Sequence, residues 1–320
     1  MIPLKHNTHP SKNNPSSDNR LAKCSHFLTE NLGLSEKEFN LLRDLVHETT
    51  GIYYDNDQKE LLADKIAPLI VNSGFSSFLD YYYYLKYDNS AAEEWNRLID
   101  CLVVPETYFW RESDQLHALT KYIVPAFYRS NPGQPLKIWS AACCSGEEPV
   151  SIAIALNEDN WFSKMEIQIT ASDTSQTAIA KANIGLYKER SFRCLPLDLK
   201  LKYFTQENQQ WKISQLIKEK INYKVLNLFS PTAKEYAQAH IIFCRNVFIY
   251  FSRASILKVI DVFHENMLDP GYLFLGAAES LINLTNKFEL NTVGKAFVYK
   301  KTKIAKLDTS INNTVKAYER

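Results

Sequence analysis

The sequence lacks an apolar run long enough to cross a membrane, for which ~18 to 20 consecutive residues are needed. Even the stretch IIFCRNVFIYF at 241–251 is interrupted by Arg245 and Asn246. The first 20 residues also lack the apolar segment of a secretory signal. We therefore expect a cytoplasmic protein without membrane insertion.

The 6 cysteines form no C-x-x-C pair and have no histidine partners at the spacing of a zinc site. We therefore expect reduced thiols and no bound metal. Charge of one sign is not in excess either, since 37 basic residues stand against 36 acidic ones. That balance argues against the basic surface of a nucleic-acid-binding domain, and we expect no nucleic-acid partner.

The N-terminal third changes from a polar stretch to helical patterns. Residues 1–28 are rich in Asn, Ser, Pro and His, and we predict a disordered lead because such a composition cannot offset the entropy of ordering. The segment LSEKEFNLLRDLVHETTG has a capping box, Ser35 with Glu38, and ends at Gly51, which is typical of an amphipathic helix. Further helical patterns follow, so we predict an all-helical domain over residues 29–104.

After Pro105 the pattern alternates between short apolar strands and helices, as in LKIWSAA followed by PVSIAIALN. Such alternation predicts an α/β fold with a doubly wound, mainly parallel sheet, here over residues 105–300. We expect a short insertion near 204–224 and a frayed polar tail over 301–320.

The turn after the first predicted strand, WSAACCSGEEP, consists of very small residues followed by Glu147 and Glu148. Small side chains let a ligand approach the backbone closely. Two carboxylates without a lysine would repel a pyrophosphate and favour a ligand with cationic groups, such as S-adenosyl-L-methionine. The alternative is that both glutamates complement the dipole of the following helix.

Polar residues also stand at the ends of later strands. Asp173 ends the second strand, where a carboxylate can accept the ribose hydroxyls of a ligand or cap the next helix. Asn227 and the pair Arg245–Asn246 follow hydrophobic runs and would reach the same edge, or else serve as buried polar caps. Tyr250 lies close enough to Asn246 to face this cleft, although a tyrosine in such a run often belongs to the core.

Taken together, these stretches resemble the CheR family, the chemoreceptor glutamate O-methyltransferases of bacterial chemotaxis. The resemblance covers about residues 35–300 and rests on five blocks: VPETYFWRE, WSAACCSGEEP, ASD with a helix ending in IGLY, VLNLF, and IIFCRNVFIYF with LDPGYLFLGAAES. It implies a helical domain followed by a methyltransferase sheet that binds S-adenosyl-L-methionine.

The resemblance also implies a set of residues that contact the cofactor. These are Thr107, Arg111, Glu148, Asp173, Asn227, Leu228, Arg245 and Asn246. Well-known members of the family have asparagine where this chain has Pro105, so one side-chain hydrogen bond would be missing.

The expected reaction is methylation of glutamate side chains in the cytoplasmic helical bundle of a methyl-accepting chemotaxis receptor. A glutamate with a pKa near ~4.3 is already ionised at neutral pH, so positioning is the main task, and we assign Arg111 and Tyr250 as the catalytic groups. Two alternatives stay open: a methyltransferase for another protein or a small acid, and a signalling adaptor that binds the cofactor without turnover. The expected state is a monomer.

Two departures from the family concern the receptor. The helix that offers several arginines in the family has only Lys59 and Lys65 here, and Pro68 is expected to interrupt it. The connection over 204–227 has no glycine and looks shorter than the antiparallel subdomain that can bind a receptor tail peptide in the family. These features argue against recruitment through a receptor tail without deciding it.

Overall fold

The computed structural model describes residues 32–303. The predicted disordered lead and most of the predicted polar tail lie outside these residues. The described chain divides into two compact units. The first holds residues 32–45 and Tyr54–Leu102, and the second holds Val46–Tyr53 and residues 103–303.

Helix α1 (Glu36–Thr50) begins in the first unit and ends in the second. The predicted capping box is confirmed, because the Glu38 backbone N–H donates to Ser35 Oγ at 3.3 Å and the Ser35 N–H donates to Glu38 Oε2 at 3.0 Å. The helix stops at Gly51, whose φ of +78° suits a residue without Cβ.

The rest of the first unit contains three α-helices, which bury aromatic and aliphatic side chains such as Phe39, Leu62 and Tyr81. These helices are α2 (Lys59–Asn72), α3 (Phe78–Tyr87) and α4 (Ala92–Leu102).

The two bases of α2 are already engaged within the first unit. Lys59 Nζ lies 2.8 Å from Glu36 Oε1, and Lys65 Nζ donates to the Leu102 carbonyl at 2.8 Å. Burial lowers the pKa of Lys65. The expectation that Pro68 interrupts this helix is wrong, since α2 continues through it to Asn72. Lys65 is therefore not a free base for docking.

The second unit carries the sheet and its covering helices. Its α-helices are α5 (Ser113–Ala118), α6 (Val124–Ser130), α7 (Glu147–Glu158), α8 (Trp161–Lys164), α9 (Gln176–Ile184), α10 (Leu197–Tyr203), α11 (Gln215–Lys218), α12 (Ala233–Tyr236) and α13 (Arg253–Asn266). Its strands are β1 (Leu136–Ala141), β2 (Ile167–Asp173), β3 (Leu186–Lys188), β4 (Phe204–Glu207), β5 (Gln210–Ile213), β6 (Ile221–Val225), β7 (Ile241–Phe243), β8 (Tyr272–Phe274), β9 (Phe288–Val293) and β10 (Ala296–Lys301).

Seven strands form the main sheet in the order β6-β2-β1-β7-β8-β10-β9. The first five are parallel, and β10 runs antiparallel to both β8 and β9. Successive side chains of β1 enter different hydrophobic clusters: Ile138 belongs to the cluster that contains Ile152 of α7, and Trp139 packs against Phe263 of α13. Both faces are covered, which confirms the predicted doubly wound α/β fold. The strand order reverses between β1 and β7, where ligands of such sheets bind.

The start of the predicted insertion near 204–224 forms a second sheet together with β3. Strands β3, β5 and β4 form a three-stranded antiparallel sheet in that order. The turn between β4 and β5 contains no glycine, but Asn208 adopts a left-handed backbone with φ of +54°. Asparagine tolerates this conformation better than most residues do, so the missing glycine was a misleading signal.

Candidate active site

The turn after β1, residues 142–146, connects the strand to α7 and is called the β1 turn. Ala142, Cys144 and Gly146 all have positive φ, at +59°, +51° and +94°. Left-handed backbone is costly for residues with a Cβ and concentrates at functional sites. The Cys144 N–H donates to Asp173 Oδ2 at 2.8 Å, and this bond fixes the turn against the end of β2.

Asp173 lies 8% exposed at the carboxyl end of β2. Its second oxygen, Oδ1, accepts the Ser175 N–H at 2.9 Å. Ser175, and not Asp173, is the N-cap of α9, because Ser175 Oγ accepts the Ala178 N–H at 2.9 Å. Asp173 therefore joins two backbone segments at the strand edge, and a contact with ribose stays a prediction.

The adjacent glutamates of α7 point to different environments. Glu147 is buried and accepts hydrogen bonds from Ser145 Oγ at 2.7 Å and Ser191 Oγ at 3.0 Å. Burial raises the pKa of this carboxyl. Glu148 accepts from Ser140 Oγ and from Arg245 Nε, both at 2.6 Å. Neither is a free surface charge that only complements the helix dipole.

Arg245 follows β7 and is almost fully buried, with 3% of its side chain exposed. Besides Glu148, it donates from Nη1 to the Arg111 carbonyl at 3.0 Å and to Gln115 Oε1 at 3.2 Å. The guanidinium therefore links α7, the segment before α5, and the end of β7. The sequence does not single out Gln115, because it lies on the short helix α5, 130 residues before Arg245 in the sequence.

Residues 245–248 form a second turn at this edge, called the β7 turn. Asn246 has φ of +60°, and its side-chain Oδ1 is buried without a hydrogen-bond partner among the described residues. The carboxylate of Glu279 accepts the backbone N–H groups of Asn246, Val247 and Phe248 at 2.7 to 2.8 Å. Sequence reasoning missed Glu279, although it is the one acidic residue in GYLFLGAAES.

Asn227 follows β6, and its side chain serves backbone groups. Its Nδ2 donates to the Thr49 carbonyl at 2.7 Å, and its Oδ1 accepts the Phe229 N–H at 2.9 Å. This geometry fits the alternative of a polar cap. Phe229 in turn packs on Gly51, where a Cβ would lie 2.1 Å from the ring. The neighbouring Leu228 is buried in the cluster that contains Trp139.

The remaining predicted residues lie before α5 and after β7. The Arg111 guanidinium carbon lies 5.2 Å from the centre of the Tyr108 ring. Burial raises the pKa of Tyr250, and the positive charge of Arg111 acts on it in the opposite direction. Thr107 is partly buried, and Pro105 is exposed.

The thiols of the β1 turn are suited to packing. Burial raises the pKa of Cys143 well above its usual range and that of Cys144 to about 12, so neither is a reactive thiolate at neutral pH. Between residues 32 and 303, no group of acidic, histidine and cysteine residues is arranged to hold a metal ion. None of the helices described is long and apolar enough to span a membrane.

These residues fit S-adenosylmethionine. The unpartnered Asn246 Oδ1 needs a donor, and the cofactor carries ammonium, amino and hydroxyl groups that donate. The β1 turn presents backbone and small side chains at the switch point of the sheet, which suits a close ligand contact. Fold and site together define the class of S-adenosylmethionine-dependent methyltransferases.

Comparison with protein-family models gives the same class of enzyme and also identifies the family. Residues 105–297 match the family described as CheR methyltransferase, SAM binding domain. Residues 37–103 match CheR methyltransferase, all-alpha domain. The chain therefore belongs to the CheR methyltransferase family and is an enzyme that uses S-adenosyl-L-methionine, which confirms the family, the enzyme class and the cofactor predicted from the sequence.

Curated relatives are similar to this chain over most of its length. Chemotaxis protein methyltransferase 2 of Vibrio cholerae is 31% identical over 283 residues, covering 87% of this chain and 98% of the relative. Chemotaxis protein methyltransferase 1 of Pseudomonas aeruginosa is 27% identical over 275 residues, covering 84% and 99%. A biofilm formation methyltransferase of the same organism, WspC, is 30% identical over 216 residues, covering 67% of this chain and 51% of WspC.

Proposed function

We propose that this chain methylates glutamate side chains in the cytoplasmic helical bundle of a methyl-accepting chemotaxis receptor. The products are glutamyl methyl esters and S-adenosylhomocysteine. The enzyme acts in the cytoplasm as a monomer, with a helical domain over residues 29–104 and a methyltransferase domain over 105–300. Relatives named chemotaxis protein methyltransferases support this substrate.

The observation that carries the proposal is the match of residues 105–297 to the CheR methyltransferase family, and within it we assign Arg111 and Tyr250 as the groups that orient the acceptor carboxylate. Arg111 supplies a permanent positive charge with a planar fork of donors, which suits a carboxylate. Burial raises the pKa of Tyr250, so its hydroxyl stays protonated at neutral pH and can donate a hydrogen bond. A cation and a hydroxyl donor beside the cofactor edge are the groups that an ionised glutamate needs for orientation.

The chemistry requires no general base. When bound, S-adenosylmethionine would supply an activated methyl group on a positively charged sulfur for transfer to the carboxylate oxygen of the substrate, leaving S-adenosylhomocysteine. Arg111 and Tyr250 hold the carboxylate in line and replace part of its hydration. The proposed cofactor wall consists of Thr107, Arg111, Glu148, Asp173, Asn227, Leu228, Arg245 and Asn246.

The antiparallel sheet gives the receptor a second place to bind. Strand β4 lies at one edge of this sheet, and an edge strand can pair with an extended peptide. The presence of this antiparallel sheet removes the argument against recruitment through a receptor tail. Methylation of receptors with and without their C-terminal tail measures this contribution, since a tail that recruits the enzyme raises the rate at low receptor concentration.

The decisive experiment incubates the full chain with methyl-labelled S-adenosylmethionine and membranes that contain the host's chemoreceptors. Glutamyl methyl esters release labelled methanol in base, whereas methyl groups on nitrogen do not. We expect base-labile label on receptor bands and none without enzyme. Label on a different protein, as the resemblance to WspC permits, or on a small acid would replace the receptor as the acceptor. Cofactor binding without any transfer would indicate an adaptor.

Matched arginine variants test the catalytic assignment. Arg111→Lys keeps the charge but loses the planar fork, so we expect methyl transfer to fall about tenfold or more while cofactor affinity is largely retained. Arg129→Lys, at an exposed position of α6, is the control and should transfer methyl groups at the wild-type rate. Wild-type transfer by Arg111→Lys would remove Arg111 from the mechanism.

A further inference from the structure

Glu279 uses its whole carboxylate on backbone groups. Oε2 accepts the N–H groups of Asn246 and Gly276, both at 2.7 Å, and Oε1 accepts those of Val247 at 2.8 Å and Phe248 at 2.7 Å. An ionised carboxylate has about four acceptor sites, so this one has no capacity left for a ligand. Any contribution of Glu279 to the cofactor site must therefore act through the residues it holds.

The β7 turn needs such an anchor. Three consecutive N–H groups, from Asn246 to Phe248, point at a single carboxylate, an arrangement that binds anions. Asn246 has a left-handed backbone, which asparagine tolerates better than most residues do, and the hydrogen bonds to Glu279 hold the turn in that conformation. Hydrogen bonds from charged acceptors are stronger than neutral ones, so the Glu279 carboxylate suits this task.

The same anchor fixes the side chain of Asn246. A Cβ at Gly276 would lie 2.6 Å from Asn246 Nδ2 and 2.9 Å from Glu279 Oε2, so the amide packs directly on the Gly276 backbone. One end of the amide is therefore held by packing. Its other end, the buried Oδ1, has no partner within the described part of the chain.

We propose that Glu279 is a positioning residue for cofactor binding, because it holds Asn246 in the conformation that presents Oδ1 to a donor group of S-adenosylmethionine. The inference rests on the proposed cofactor contact of Asn246. Glu279 itself does not touch the cofactor.

The test measures dissociation constants of S-adenosylmethionine and S-adenosylhomocysteine by calorimetry on the full chain. Glu279→Gln keeps the size of the side chain but turns one acceptor into an N–H₂ group that faces two backbone donors. We expect affinity for both ligands to fall about tenfold to a hundredfold. The KM for S-adenosylmethionine should rise by a similar factor, while the KM for the methyl acceptor stays unchanged.

Two further variants separate positioning from general stability. Glu279→Asp keeps both oxygens on a shorter side chain, so it should recover part of the affinity lost in Glu279→Gln. Glu289→Gln, at an exposed position of β9, is the control and should bind like the wild type. If Glu279→Gln lowers only the unfolding temperature and leaves the dissociation constants unchanged, Glu279 is a structural brace and the inference is wrong.

A double-mutant cycle with Asn246→Gly tests whether Glu279 affects cofactor binding through Asn246. Glycine allows the left-handed backbone but has no amide, so Glu279→Gln should cost little further affinity in that background. If the losses of affinity in the two single variants add in the double variant, the inference about Glu279 is wrong, but the proposed cofactor contact of Asn246 is not affected. Wild-type affinity of the single Asn246→Gly variant would overturn both the inference and the proposed contact. If Glu279→Gln does not fold, Glu279→Asp takes its place in the cycle with the same expected non-additivity.

Discussion

The β1 turn and the β7 turn follow neighbouring parallel strands, yet they differ in how far their conformations depend on small residues and on a distant carboxylate. In the β1 turn, three of the residues 142–146 have positive φ, and small side chains limit the steric cost. In the β7 turn only Asn246 does, and it is held by a carboxylate 33 residues further along the chain. The β1 turn therefore depends on small residues and on one hydrogen bond to Asp173, whereas the β7 turn depends on a distant carboxylate that accepts three of its N–H groups.

This difference predicts where each turn is vulnerable. The β1 turn should lose stability when a substitution adds side-chain volume to it. The β7 turn should lose stability when its hydrogen-bond partners change, even if the volume of its side chains is conserved.

Gly146→Ala should produce the largest effect. Its Cβ would lie 2.9 Å from both Ala182 Cβ and the Tyr223 hydroxyl, at a residue with φ of +94°. We expect the free energy of unfolding in urea to fall by about 3 kcal/mol. Gly133→Ala is the control, since its φ is +74° but nothing lies within 4 Å, so only about 1 kcal/mol should be lost. Equal losses would show that volume is not what limits the β1 turn.

Arg245→Lys tests the β7 turn without adding volume. Lysine cannot serve Glu148, the Arg111 carbonyl and Gln115 together, so buried acceptors lose donors. We expect the free energy of unfolding to fall by about 2 kcal/mol. Arg253→Lys, at the exposed start of α13, should change it by less than about 0.5 kcal/mol. If the two variants unfold alike in urea, the buried network does not stabilise this turn.

Asp173→Asn tests how the β1 turn is tied to the cofactor. An amide N–H₂ cannot accept the N–H groups of Cys144 and Ser175 as a carboxylate does. We expect the affinity for S-adenosylhomocysteine, measured by calorimetry, to fall by about 1 to 2 kcal/mol. Asp198→Asn, exposed on α10, should bind normally. Unchanged affinity with a lower unfolding temperature would make Asp173 a purely structural residue.

The smallest expected effect is the pH dependence of stability caused by Glu147, the first residue of α7, which directly follows the β1 turn. Burial raises the pKa of its carboxyl above 4.5, so the folded state binds this proton more tightly than the unfolded state does. Its contribution to stability is therefore complete below the unfolded pKa and declines as pH rises through the folded value. Glu147→Gln should gain stability relative to wild type between about pH 4 and about pH 7 in urea unfolding. A constant difference across that range would contradict the cause given for the shift.

The residues that sequence reasoning found are those that follow strands. Strand periodicity indicates the carboxyl edge, and Asp173, Arg245 and Asn246 all lie there, as does the run of small residues in the β1 turn. The capping box of α1 and the doubly wound sheet were equally accessible, because both depend on local patterns.

The parts that were missed depend on contacts between distant segments. Nothing near Glu279 in the sequence indicates the three N–H groups more than 30 residues away that it accepts. The absence of glycine argues against an antiparallel turn near 208, but Asn208 adopts the left-handed backbone that the turn requires. The sequence predicts an interruption at Pro68, whereas α2 continues through it.

A crystal structure of the full chain with S-adenosylhomocysteine tests the central claim most directly, namely that both turns serve one ligand. We predict that the Asp173 carboxylate, beside the β1 turn, and Asn246 Oδ1, in the β7 turn, each lie within hydrogen-bond distance of the same bound molecule, while Glu279 keeps its backbone contacts and does not touch it. A ligand that contacts only one of the two turns, or that bonds to Glu279 directly, would contradict this account.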